Sequence, residues 1–374
     1  MPRICFVSGN IFPLLANRTD LPIVGGAEVQ QYQLAQELAQ RGLEVSFVSE
    51  DFGQGPDITI DGLRVLAYRL SPNKWEQAST LWRALRLADA DIYYVRSLPK
   101  HSALIYLFVR RYRRKLVQAL ASDLEVAPEL IAGRLNRLVF RFNALWRVRA
   151  DAVIAQTAFQ AQRLWQRWGI RAESLPKLVP LAAAAPACPE PFTVLWVGTI
   201  APHKKVELAL DIARQLPHTL FVIAGGPARG GQAYYDAARA QAAKQANVRW
   251  LGYVPHGEIG PLFQRAALLL HTSPQEGFPN VFVEAWAAGV PVITLGINPA
   301  GLFTERGLGV CSELSRAADE IERLRAEPDR LSEMGARGRA FVTEFSGPEA
   351  VMPLYLRLFD RLMTQRAERG PSRK

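Results

Sequence analysis

Cysteine is scarce and unpatterned. Cys5, Cys188 and Cys311 are the only three in 374 residues, an odd number without metal-ligand spacing. That excludes a disulfide framework and a zinc module, and a reducing cytoplasm is the simplest setting. No apolar run reaches the ~18 residues that span a bilayer. The apolar run after Arg3 lasts only a few residues before Ser8, Gly9 and Asn10, so neither a membrane span nor a signal peptide is expected. The Gly-x-Gly-x-x-Gly turn of dinucleotide-binding folds is missing after the first strand, although Glu50 and Asp51 stand where an acid would meet a ribose. The nicotinamide reading thereby loses its main support. No carboxylate cluster offers an evident metal site. No zinc-finger, RNA-recognition or helix-turn-helix pattern accompanies the basic residues, so nucleic acid is not an expected partner.

What is present is enough apolar sequence, 49% of the chain, for two ordinary domains with full cores. The net charge of +10 is unevenly spread: residues 101–150 hold ten Lys or Arg against three acids, an excess of seven. Within that segment Arg134, Arg137 and Arg141 fall at i, i+3 and i+7, with Leu138, Phe142, Leu145 and Trp146 nearby. The pattern suits a helix lying on an anionic membrane, such as the inner face of the plasma membrane. It suits equally a basic solvated helix whose apolar side packs on its own domain.

Short apolar runs alternate with helical periodicity along the chain. Strands are expected at 4–7, 44–48, 63–67, 91–95, 116–120 and 152–155. After the first comes a long loop that ends in Gly25-Gly26-Ala27-Glu28, and then a helix marked by Ala27, Gln31, Leu34, Ala35 and Leu38 that stops at Gly42. Strand, helix, strand in that order implies right-handed crossovers and a parallel sheet. Between Pro176 and Pro191 the sequence turns rich in Pro and Ala, which marks a linker. A second series of strands follows at 194–197, 220–224, 248–251, 267–270 and 292–295. The fold class is α/β, with two open parallel-sheet domains in tandem.

The most informative stretch is His271-Thr272-Ser273-Pro274-Gln275-Glu276-Gly277-Phe278-Pro279-Asn280, continued by Val281-Phe282-Val283-Glu284-Ala285 and Gly289-Val290-Pro291-Val292. It reads as strand, tight loop and helix. Glu276 lies in the loop and Glu284 about one turn into the helix. Between them lie the amides of a helix start, which attract phosphate. A ligand with hydroxyls at both ends and phosphate in the middle fits that spacing, and a nucleotide diphosphate sugar has that layout.

This stretch resembles the E-x7-E signature of the retaining glycosyltransferases of family 4, which have the GT-B fold: two Rossmann-like domains whose parallel sheets face each other across a cleft. The resemblance implies an acceptor-side domain at 1–185, a nucleotide-sugar domain at 186–348 and a helix at 349–374 that crosses back to the first. It places Gly25 and Gly26 against the donor diphosphate and the acceptor site. Gly198, Thr199 and Lys204 follow the first strand of the second domain and would bind the diphosphate, with Thr199 where many members carry arginine. Gly225 ends the next strand, where a small residue would let the backbone approach the nucleotide, and Tyr253 and Val254 would offer backbone groups to the base. Glu276 would hold the sugar hydroxyls, Gly277 and Phe278 would orient the ring, and Glu284 would accept from the ribose. Asn280, Val281 and Phe282 would present the helix amides.

Catalysis would then be metal-independent and cofactor-free, with Lys204 countering charge on the departing diphosphate, and the acceptor attacking from the same face. Family members often carry a histidine near the sugar in the first domain. Here the corresponding strand end reads Ala121-Ser122-Asp123-Leu124-Glu125, and Asp123 is the nearest polar substitute. The expected partners are a nucleotide-sugar donor and a hydroxyl of a glycan or lipid-linked glycan, in polysaccharide or glycoconjugate biosynthesis. The alternative is a catalytically silent sugar-nucleotide or glycan-binding protein of the same fold.

Overall fold

A strand that is apolar on both faces needs a helix layer on each side, and that requirement shapes both halves of the chain. The computed structural model describes residues 1–18, 25–97, 101–127, 146–181, 190–228, 230–274, 276 and 278–368. The chain divides into two units, Met1–Leu178 with Glu349–Lys374, and Val179–Pro348.

In the first unit, among the described residues, eight strands form one sheet: β1 (Ile4–Val7), β2 (Val45–Glu50), β3 (Asp57–Ile60), β4 (Leu63–Tyr68), β5 (Ile92–Arg96), β6 (Lys115–Ala119), β7 (Ala152–Ala155) and β8 (Glu173–Ser174). Their order is β3-β4-β2-β1-β5-β6-β7-β8, and every pairing is parallel except β3 with β4. The fully buried β1 and β5 pair in register, Ile4 with Ile92 and Val7 with Val95, at the centre. Strand β3 was not anticipated. It forms a hairpin with β4 through Asp61 and Gly62, both at positive φ (49° and 77°). An Asp-Gly pair between strands is the sequence signal for such a turn. The helix Pro348–Glu368 presents Val351, Met352, Tyr355, Leu358, Phe359 and Leu362 as one buried stripe, packed in the cluster that holds Ile4, Phe6, Leu34 and Leu38. Helical spacing of those six residues is why the end of the chain belongs to the first unit.

The second unit contains β9 (Thr193–Val197), β10 (Leu220–Ala224), β11 (Val248–Gly252), β12 (Leu268–His271), β13 (Val292–Leu295) and β14 (Gly309–Ser312). The order is β11-β10-β9-β12-β13-β14, all parallel. Chain order reverses direction at β9, which has β10 on one side and β12 on the other. The crevice beyond the carboxyl ends of β9 and β12 is therefore the switch point where open α/β sheets bind ligands.

The helix Asn280–Ala287 is pinned by Trp286, which is fully buried and donates from Nε1 to the Leu308 carbonyl at 2.8 Å. Burial of a side chain this large contributes on the order of 4–6 kcal/mol. It needs a notch in the helix Pro328–Phe345: a Cβ on Gly338 would lie 2.6 Å from Trp286 Cδ1.

Candidate active site

Two loops meet at the switch point. After β9 the chain passes Gly198 and Thr199 into a single 3₁₀ turn, Pro202–Lys204, and then into the helix Val206–Gln215. Lys205, between turn and helix, has φ 54°. A left-handed residue other than glycine costs about 1–2 kcal/mol and needs support from its surroundings. That support comes from the end of β12. Thr272 Oγ1 donates to the Lys204 carbonyl at 2.7 Å while accepting from Trp196 Nε1 at 2.9 Å, and Ser273 Oγ donates to the His203 carbonyl at 3.3 Å. Thr272 and Ser273 are each 1% exposed. Consecutive residues of one strand end thus fix the backbone from which Lys204 projects.

The Lys204 ammonium forms an ion pair with Glu276 Oε1. His271 Nε2 lies 3.2 Å from the same oxygen, and His271 Nδ1 lies 3.3 Å from Thr294 Oγ1 on β13. The imidazole stands edge-on to Phe282, with ring centroids 4.8 Å apart. Burial by itself would raise the Glu276 carboxyl, but the His271 hydrogen bond and the Lys204 charge outweigh it and hold the group down at about 2. A carboxyl depressed on folding contributes stability that is complete above its ordinary value of 4.5 and is lost as the pH falls through about 2. Acid titration of folding should therefore show a shallower loss across that window in Glu276→Gln than in the native chain. Parallel curves would remove the claim.

Glu284 lies half-buried within Asn280–Ala287, whose first turn carries no acidic residue and whose N-cap, Pro279, supplies no side-chain cap. The Phe282 amide, expected to face a ligand, is instead engaged by the Pro279 carbonyl at 3.3 Å. The first turn tightens at that point, and Phe282 acts as a buried wall beside His271. Phe278, Asn280 and Val281 are half-buried at the start of the helix; Gly277 lies outside the described residues.

The ends of β9, β10 and β11 are laced together by backbone bonds, Gly198 N–H to Ala224, Ile200 N–H to Gly226 and Gly225 N–H to Gly252. A Cβ on Gly225 would sit 1.8 Å from the Gly198 carbonyl oxygen. The neighbouring loop therefore already demands a glycine there, a reason distinct from the ligand approach the sequence suggested. Thr199, Tyr253 and Val254 lie half-buried at the same carboxyl edge.

The first unit holds the other expected residues. Gly25 caps the helix Gly26–Gln40, and its amide donates to Glu28 Oε2 at 3.1 Å. Burial raises the Glu28 carboxyl, against the pull of that amide and of Arg96. Arg96, 8% exposed at the end of β5, has no hydrogen-bond partner for Nε among the described residues. Sequence reasoning missed it; the signal was a cation closing an otherwise apolar strand. Asp123 opens a short turn after β6, and its Oδ1 accepts from Gln160 Nε2 at 2.8 Å. The turn is held from below by Glu125, which accepts from the Ala121 and Ser122 amides at 2.8 and 3.3 Å and pairs with Arg147 at 3.1 Å.

The basic excess of residues 101–150 is partly internal. Arg147 is buried against Glu125, Lys115 is buried and pairs with Asp151 at 3.2 Å, and Arg114 pairs with Asp91 at 3.1 Å. Asp91 and Asp151 fall outside the counted window, so a linear count overstated the free charge. Arg134, Arg137 and Arg141 lie outside the described residues. Among the described residues no helix is long and apolar enough to cross a membrane, and no group of three His, Cys, Asp or Glu is placed to hold a metal ion.

Comparison with known proteins matches both halves. Residues 184–341 match the family model described as Glycosyl transferases group 1, and residues 24–176 match Glycosyltransferase Family 4. D-inositol 3-phosphate glycosyltransferase of Mycobacterium tuberculosis is 29% identical over 189 residues, 47% of this chain and 39% of that protein. The match thus spans well under half of the curated relative's length. Sucrose-phosphate synthase from Thermosynechococcus elongatus superposes with a TM-score of 0.77 at 19% identity, over 98% of this chain and 100% of the other. HepE of Anabaena, solved in complex with UDP and glucose, gives 0.75 at 19% identity, over 97% and 100%. With a matching model for each α/β unit and the same fold in these neighbours, the chain belongs to the group 1 glycosyltransferases and has the GT-B fold.

Proposed function

We propose that the protein transfers a sugar, with retention of anomeric configuration, from a nucleotide diphosphate sugar to a hydroxyl of a glycan or lipid-linked glycan acceptor. The observation that carries the reading is the convergence of Lys204 and Glu276 from two loops at the switch point of one sheet, beside the start of the helix that bears Glu284. An ammonium at this place counters the charge that grows on the leaving diphosphate, and a fixed cation is worth most in that transition state. Glu276 accepts from sugar hydroxyls, and Glu284 accepts from the ribose. Lys204 and the amides at the start of Asn280–Ala287 supply the positive potential, so the reading requires neither metal nor cofactor. Solved complexes of the similar HepE with UDP-glucose support a nucleotide sugar as donor. Asp123 and the buried Arg96 are the polar groups of the first unit assigned to the acceptor side. The acceptor's place in polysaccharide or glycoconjugate assembly belongs to the same proposal, as does any contact of Arg134, Arg137 and Arg141 with the inner face of an anionic membrane.

A thermal-shift series with nucleotide diphosphate sugars, beginning with UDP-glucose, tests the donor. A ligand at about 100 times its Kd adds about 2.7 kcal/mol to the folded state. That corresponds to a rise of several degrees in the transition of a unit of this size. If no nucleotide sugar shifts the transition, the donor reading fails. Binding without release of nucleoside diphosphate, on any acceptor, would leave a binding protein and remove the enzyme.

A further inference from the structure

We propose that His271, oriented by Thr294, is the positioning residue that holds Glu276 in place for the donor sugar when Lys204 turns from Glu276 to the diphosphate. The inference rests on the donor reading above and deepens it.

Both contacts of the Glu276 carboxylate among the described residues fall on one oxygen. Oε1 takes the Lys204 ammonium and His271 Nε2, whereas Oε2 takes no hydrogen bond among the described residues. One oxygen is thus an anchor and the other is left for a ligand hydroxyl. A diphosphate competes with Glu276 for Lys204, because a dianionic group is the stronger partner for an ammonium. Without a second anchor the freed carboxylate would regain its rotamers just as the sugar arrives. His271 supplies that anchor from a strand end. It is 6% exposed, its ring is walled by Phe282, and its far nitrogen is tied to Thr294, which is fully buried on β13.

The chemistry also fixes which nitrogen carries the proton. An ionised carboxylate only accepts, so Nε2 must be the donor toward Oε1. Nδ1, on the far side of the ring, keeps its contact with the Thr294 hydroxyl at 3.3 Å. The arrangement Thr294, His271, Glu276 is an orienting chain of the kind that sets the geometry of a group touching substrate. It predicts a division of labour: Lys204 and the helix start recognise diphosphate, and His271 acts only through the sugar.

The decisive experiment compares Kd for UDP-glucose, or whichever nucleotide sugar shifts the native transition, with Kd for the bare nucleoside diphosphate in the native chain, His271→Leu and His271→Gln. His271→Leu should weaken the sugar nucleotide by about 10-fold to 100-fold, the range for a hydrogen bond to a charged group. The bare diphosphate should stay within about threefold. His271→Gln, which keeps an N–H toward Glu276, should recover most of the loss. Equal losses for both ligands, or no loss for either, would overturn the positioning role while leaving the donor reading intact. A native chain that binds the diphosphate but no sugar derivative would overturn both. Imidazole ¹⁵N shifts of the native protein provide a measurement free of folding defects: a protonated Nε2 is expected, and an unprotonated one sinks the proposal.

Discussion

Lys204→Ala is expected to lower kcat/KM for donor cleavage by about 10²–10³-fold, the usual cost of removing one fixed donor from a developing anion, with little change in folding stability. The two expectations separate because the ion pair with Glu276 is partly solvated: the side chains are 25% and 18% exposed. Pairs of that kind contribute roughly 0–1 kcal/mol, and His271 still holds the carboxylate after the lysine is gone. On the proposed reading the ammonium does more in the transition state, where its partner would become a diphosphate leaving with its bonding electrons. Glu276→Gln should behave differently, since it keeps an acceptor but loses the charge that anchors His271. Its loss should appear chiefly in donor affinity. Release of nucleoside diphosphate from the nucleotide sugar, followed with and without acceptor, gives both numbers. A Lys204→Ala enzyme within about threefold of the native rate would remove Lys204 from the mechanism.

Arg147→Met should destabilise the first unit by about 3–5 kcal/mol, because it leaves a buried carboxylate without its cation. Arg147 is 1% exposed and Glu125 is 5% exposed. Burial pushes the Glu125 carboxyl up and the Arg147 guanidinium down, each against the attraction of the other. Arg147 also donates to the Glu125 carbonyl at 2.8 Å and lies over the Trp168 ring, 5.7 Å from its centroid. Removing both charges in Glu125→Gln with Arg147→Met should recover most of the loss, since desolvation is relieved along with the attraction. Two units unfold here, so the transition of the first must be followed on its own rather than through a single midpoint. A single-variant loss below about 1 kcal/mol, or a double variant no better than Arg147→Met, would refute the buried-pair account. The result bears on function because Glu125 also binds the Ala121 and Ser122 amides that set the turn carrying Asp123.

Periodicity located the central strands well. Ile4–Val7, Ala152–Ala155, Leu220–Ala224 and Val292–Leu295 have the bounds their apolar runs suggested, because a strand buried on both faces has no choice but to be apolar throughout. The edges were harder to see. Gly309–Ser312 and Glu173–Ser174 lie at sheet edges and owe their existence to a neighbour's hydrogen bonds rather than to their own composition. The site divided along the same line. Lys204 and Glu276 were legible because the motif around them is specific, whereas His271, five residues from the nearest charged group in the sequence, gave no signal until its ring nitrogens acquired partners. Arg147 looked like surface charge for a related reason: its partner Glu125 lies 22 residues away, and nothing local in the sequence pairs them.

By itself the amino-acid sequence determined the tandem α/β series and the family, and it singled out Lys204 and Glu276 as candidate donor-binding groups. Those depend on local pattern, which a chain carries before it folds. Only the tertiary structure decided that both contacts to Glu276 share one oxygen, that the Lys204 turn hangs from Thr272 and Ser273, that Gly225 is required by the Gly198 carbonyl, and that Lys115, Arg114 and Arg147 of the basic segment are paired inside their own unit. Each is a relation between residues far apart in the chain, brought within hydrogen-bond reach by strand order. Strand order is settled by how the sheets bury their faces, and no short stretch of sequence encodes it.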